Sequence, residues 1–147
     1  MPRKKPKIEI KKLSANAVMP TTAEGDPAGL DLYAAQDIVI PGRGTKPIKT
    51  DIALAIEEGY WGKIYERSGF SVRTSLGVKA GVIDSDYRGE IKIVMHNIDN
   101  FPEKVKKGDK IAQIIFHRQE IIKLEEVEEF TNPDTVRGDK GFGSSGT

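Results

Sequence analysis

The sequence predicts an all-β protein, a jelly-roll-like barrel or sandwich of short strands with one short helix. Three observations lead there. Apolar and polar residues alternate over short stretches, as in GEIKIVMHN at 89–97, with Ile91, Ile93 and Met95 on one face and Lys92, Val94 and His96 on the other. Gly, Pro and Asp interrupt the chain about every eight to twelve residues. Only one stretch, SGFSVRTSL at 68–76, suits a helix.

The elements follow in order. KIEIKKL (7–13) alternates behind a basic opening, and GLDLYAA (29–35), DIVIPG (37–42) and TDIALAI (50–56) are bounded by turn residues. GYWGKIYE (59–66) is aromatic and β-branched enough for a strand, and GEIKIVMHN (89–97) has the cleanest alternation. KIAQIIFH (110–117) is apolar on both faces at IAQIIF, which predicts a central strand. EIIKLEEV (120–127) is the last predicted strand.

Composition narrows the function classes. A chain of 147 residues can bury one real core. The absence of Cys excludes disulfides and thiolate metal sites and points to a reducing compartment, so a cytoplasmic location is expected. Apolar runs are too short for a bilayer, and no membrane association is expected. With 23 basic and 22 acidic residues the net charge of +1 supplies no field for direct nucleic-acid binding. Locally, MPRKKPKIEIKK is basic. It reads as a solvated arm over 1–7, or as an import signal that would make the location nuclear. Residues 1–136 are expected to form a single β-domain, with 137–147 a flexible lid belonging to it.

Several familiar chemistries lack support. His96 and His117 lie in predicted strands without neighbours at metal-ligand spacing, no Ser-His-Asp arrangement has a nucleophile-elbow context, and no GxxxxGK[ST] loop occurs. Five other stretches carry functional residue types. In YERSGF, Arg67, Ser68 and Gly69 follow a strand at a helix start, where a guanidinium, a hydroxyl and backbone N–H groups suit an anion. In AGVIDSDYRGE, Asp84 ends an apolar pair at a hairpin, and an ionised carboxylate facing a cleft can act as a general base. In AGLDLYAA, Asp31 between apolar neighbours is either an outward residue or an anchor for magnesium. Gln113 interrupts an apolar strand and needs partners for its amide. The tail RGDKGFGSSGT has no aliphatic residue, yet it carries Arg137 and Phe142.

Taken in chain order, AGLDLYAA, RSG, GVIDSDYRGE, GDKIAQIIF and the tail, the five stretches resemble the motifs of the homotrimeric dUTPase family (deoxyuridine triphosphate nucleotidohydrolases), over residues 28 to 147. The resemblance implies a jelly-roll-like homotrimer whose active sites are shared between subunits. The implied reaction is magnesium-dependent hydrolysis of dUTP to dUMP and pyrophosphate, which limits uracil in DNA and supplies dUMP for thymidylate synthesis. It gives Asp84 the place of the base that activates water for attack on the α-phosphorus. Arg67, Ser68, Gly69, Gln113, Arg137, Ser144 and Ser145 match phosphate contacts, and Asp31 matches an aspartate that meets Mg2+ through water. Main-chain groups of Gly81, Val82, Ile83, Asp84 and Ile91 would read the uracil edge, and Tyr87 would pack under the deoxyribose. Phe142, with Gly143, would cover the base. The chain departs from the family pattern in Glu66 before Arg67, in Phe70-Ser71 where Leu-Ala is usual, and in Lys140 before GFG.

Two alternatives stand beside this reading. A dCTP deaminase, or a bifunctional deaminase–dUTPase, would need a water-activating Glu, and Glu90 is available in the hairpin. A non-catalytic nucleotide-binding trimeric regulator would keep the fold without turnover.

Overall fold

The computed structural model describes residues 2–143. Its strands are β1 (Ile8–Lys12), β2 (Leu30–Tyr33), β3 (Ile38–Ile40), β4 (Thr45–Ile56) and β5 (Tyr60–Tyr65), followed by the single helix α1 (Ser68–Arg73). After it come β6 (Leu76–Lys79), β7 (Val82–Ile83), β8 (Glu90–Asn97), β9 (Glu103–Val105) and β10 (Lys110–Arg118). Two four-stranded antiparallel sheets, ordered β1-β4-β8-β6 and β2-β10-β5-β7, are joined by a ribbon of β3 and β9. The architecture is the all-β, jelly-roll-like one that the patterning predicts.

One apolar core is drawn from both sheets. Ile48, Ile52, Ile91, Ile93 and Met95 come from β4 and β8, and Leu32, Ile64, Ile111 and Ile114 come from β2, β5 and β10. All are essentially inaccessible to solvent. Each such side chain stabilises the fold by about 1.5–3 kcal/mol. The β8 alternation is borne out, with Ile91, Ile93 and Met95 buried and Lys92 exposed. The two-sided apolar strand β10 is central, between β2 and β5.

Differences from the sequence reading have local causes. β4 begins at Thr45, although Pro47 and the preceding glycines read as a turn. Residues 45–49 pair only with β8, because β1 reaches only Ile52–Ile56. The missing N–H of Pro47 therefore costs no ladder bond. Between these halves the register shifts, Asp51 takes φ +53°, and the strand changes partners.

The helix ends at Arg73, because SGFSVR is a weak helical sequence anchored mainly by buried Phe70. Thr74 then turns extended and returns its hydroxyl to the Phe70 carbonyl at 2.7 Å. This frees Leu76–Lys79 to pair with β8 as β6. The ribbon is tied down by fully buried Asn97, whose amide donates to Ile40 O (3.1 Å) and Phe101 O (2.7 Å).

The strand expected at 120–127 is not there. Ile121, Ile122 and Leu124 are exposed, and the segment lies in no sheet. Its alternation suits a strand, but a strand needs a hydrogen-bonding neighbour, and among the described residues none pairs with it after Gln119 N bonds Gly59 O at 2.9 Å.

Candidate active site

The expected hairpin around Asp84 is built differently from a simple ladder. Its long arms are β6 and β8, paired from Leu76↔Asn97 to Lys79↔Val94. The connection leaves that sheet, and Val82–Ile83 pair with Lys63 and Gly62 of β5 in the other. Two consecutive left-handed residues make this crossing, Ala80 at φ +57° and Gly81 at φ +96°. A side chain at Gly81 would press on Ile64, 3.1 Å away. Lys63 Nζ donates to Ala80 O at 2.6 Å, and Ile64 N donates to Gly81 O at 2.8 Å. The loop that should read a base is thus fixed to β5 on both sides of the turn.

Asp84 emerges from β7 into an open cleft of about 740 Å³, lined also by Trp61, Val82, Ser85, Asp86 and Arg88. Downstream the loop closes on itself: Tyr87 N donates to Asp84 O at 3.2 Å, and Arg88 Nη1 donates to Ser85 O at 2.6 Å. The Tyr87 hydroxyl donates to Glu90 O at 3.0 Å. Ile91 is fully buried, and its carbonyl accepts the Thr50 hydroxyl.

A second cluster gathers three of the five motifs. Gln113 stands in register with Asp31 on β2 and with Tyr65 on β5. Its Nε2 donates to Glu66 O at 2.8 Å, which fixes the turn entering Arg67-Ser68-Gly69. Arg67 Nε donates to Asp31 Oδ1 at 2.9 Å, and its Nη1 donates to Lys110 O at 3.2 Å. Lys110 Nζ lies 3.9 Å from Asp31 Oδ2. Asp31 is therefore no outward-facing residue: its side chain is 15% exposed and orients a guanidinium. Two cations around one carboxylate leave net positive charge for an anionic ligand. At six residues, α1 is too short to add a useful dipole.

The residues present limit how magnesium can be held. Among the described residues no group of three His, Asp or Glu could enclose a cation. Asp31 already faces Arg67 and Lys110. This donor set fits an ion carried by a polyphosphate and met through water, not a resident ion.

The two clusters lie at opposite ends of β5. Arg67 follows its C-terminal end, whereas the pairing Gly62↔Ile83 carries Asp84 alongside Trp61 near the other end. Trp61 and Arg67 are six positions apart along the chain, a span of at most roughly 20 Å. The Asp84 cleft accordingly includes none of Asp31, Arg67, Ser68 or Gln113.

The tail is a third element. Arg137 Nε donates to Lys140 O at 2.8 Å and Lys140 N to Arg137 O at 3.2 Å, a local turn, while Phe142 is fully exposed. Ser144 and Ser145 lie outside the described residues. Glu66 is exposed and joins the cluster only through its carbonyl. Phe70 is buried, so the change from the usual Leu is absorbed in the core. Sequence reasoning missed Lys63, Trp61 and Lys110. Lysines in strands look like ordinary solvated residues, and only the sheet register reveals what these two reach.

Fold and site define a small antiparallel β-protein with a net cationic side-chain cluster suited to an anion and a separate carboxylate cleft. The profile of the dUTPase family matches residues 15–146. The chain is 44% identical to a deoxyuridine 5'-triphosphate nucleotidohydrolase of Oryza sativa subsp. japonica, covering 96% of this chain and 81% of that protein. It is equally 44% identical to one from Yaba monkey tumor virus, covering 95% and 96%. A solved structure of Staphylococcus bacteriophage 80alpha dUTPase with dUpNHpp superposes with a TM-score of 0.89 at 32% identity, covering 96% of this chain and 99% of that one. A phage phi11 dUTPase, described as showing a structural Mg(II) ion, gives 0.79 at 29% identity, covering 85% and 99%. The chain belongs to the dUTPase family.

Proposed function

We propose that this protein hydrolyses dUTP to dUMP and pyrophosphate, as a homotrimer with sites shared between subunits. Family membership supports the reaction. The observation that carries the shared site is the separation of Asp84 from the Arg67 cluster along β5. A nucleotide that meets both is read as meeting them on different copies of the chain. The segment at 120–127, in no sheet and with Ile121, Ile122 and Leu124 exposed, offers each copy a strand for a neighbour.

In this reading Asp84 takes a proton from water, whose oxygen attacks the α-phosphorus. The bond from the α-phosphorus to the bridging oxygen breaks, and that oxygen leaves with pyrophosphate. Arg67 and Gln113, with Ser68 and Gly69, hold the phosphates. Arg137, Ser144 and Ser145 approach from the tail as Phe142 and Gly143 cover the base. Asp31 would hold Mg2+ through water, and the ion would supply charge neutralisation for the leaving pyrophosphate. Catalysis then rests on positioning and electrostatics, not on a covalent intermediate.

Main-chain N–H and C=O groups at Gly81–Asp84, with Ile91, read the uracil edge, and Tyr87 fills the space beneath the deoxyribose. A backbone frame pinned by Lys63 and Ile64 rejects cytosine, whose amino donor would face an N–H with no acceptor. The deaminase alternative loses its candidate group, because Glu90 Oε2 accepts Asp51 N at 3.0 Å and so serves the β4 bulge.

Pyrophosphate release from dUTP, with and without magnesium, tests the reading, with dCTP, dTTP and UTP as controls. Magnesium-dependent release from dUTP alone is expected. Ammonia release from dCTP, or no turnover of dUTP, would overturn it.

A further inference from the structure

We propose that Gly89 is a positioning residue that sets the height of the Tyr87 ring and so governs rejection of the 2′-hydroxyl. The inference rests on the reading that Tyr87 packs under the deoxyribose. A Cβ built on Gly89 would lie 2.5 Å from Tyr87 Oη, 2.7 Å from Cζ and 3.2 Å from Cε2. Its three nearest neighbours are thus all atoms of one side chain. Gly89 is not among the residues with positive φ, so its backbone imposes no need for glycine. What excludes a side chain there is the aromatic ring folded back across it.

The ring is held from both ends. The hydroxyl at its tip donates to Glu90 O at 3.0 Å, and the Tyr87 backbone N–H at its root donates to Asp84 O at 3.2 Å. Arg88 Nη1 reaches Ser85 O and Tyr87 O, which stiffens the stretch between. The bare face of Gly89 is therefore the seat of the ring. Since Glu90 begins β8, the seat is referenced to a strand with a fully buried neighbour at Ile91. An added methyl must lift the ring, and the ring edge is what a 2′-hydroxyl would strike.

The test is kcat/KM for dUTP and UTP in the wild-type chain, Gly89→Ala, Tyr87→Ala and the double variant. Both single variants should gain UTP turnover and lower the dUTP/UTP preference by about tenfold or more, and the double variant should be no worse than Tyr87→Ala. A gain in UTP activity is a change that general loosening of the fold does not give. Unchanged preference in Gly89→Ala beside a lowered one in Tyr87→Ala overturns the role of Gly89 and leaves the Tyr87 reading intact. Unchanged preference in Tyr87→Ala overturns both. Additive losses in the double variant also overturn the proposal. If Gly89→Ala fails to fold, thermal unfolding of the double variant decides: recovery when the ring is removed supports the seat, and failure of both overturns it.

Discussion

At the scale of single residues, the site separates groups that hold from the group that reacts. Arg67 is bonded to Asp31, and Gln113 to the Glu66 carbonyl next to it, whereas Asp84 stands in an open cleft with its carbonyl engaged by Tyr87. Asp84→Asn should therefore keep dUTP binding and lose turnover by about 10²–10⁴-fold, measured by calorimetry and pyrophosphate release. Normal turnover would remove Asp84 from the role of base. A separate carboxylate serves stability. The Ser14 hydroxyl bonded to buried Asp51 holds its carboxyl below the usual range, against the opposing effect of burial, with Lys49 Nζ adding at 3.6 Å. A depressed carboxyl stabilises the fold above its unfolded value, near about pH 4, and that contribution fades as pH falls through the folded value. Ser14→Ala should then cost about 1 kcal/mol at pH 7, with the difference shrinking in acid. A cost independent of pH in urea titrations would contradict this.

At the scale of elements, the segment after β10 and the tail make different predictions. Ile121 and Leu124 are exposed along a strand-like stretch without a partner. Replacing both with Lys should lower the oligomeric state in sedimentation while leaving the β-signature in circular dichroism. Ending the chain at Val136 should leave a folded trimer with most activity gone, because the truncation removes Arg137 and Phe142 but no residue of the core. Full activity in that truncation would refute the lid. These elements also show what was legible in the sequence. Strands with alternating or two-sided apolar character, such as β8 and β10, were readable because burial imposes the pattern. β6 and β9 were not, because short or charged strands owe their state to neighbours set by topology, and β7 was legible as a hairpin strand but not as a partner of β5. The segment at 120–127 misleads for the converse reason, since its pattern is present and no partner pairs with it among the described residues. Asp84, Asp31, Arg67 and Gln113 were legible as residue types, but that Asp31 orients Arg67 required the sheet register.

At the scale of the whole molecule, the central claim is that a single chain does not hold a complete site. Asp84 lies beside the start of β5 and Arg67 follows its end, and the Asp84 cleft contains none of Asp31, Arg67 or Gln113. The most direct measurement mixes two inactive variants, Asp84→Asn and Arg67→Ala, unfolds and refolds them together in equal amounts, and measures dUTP hydrolysis. A site shared between copies regains an intact Asp84 from one chain and an intact Arg67 from another, so random assembly should restore about a quarter of wild-type activity. A mixture as inactive as either variant alone would contradict the account.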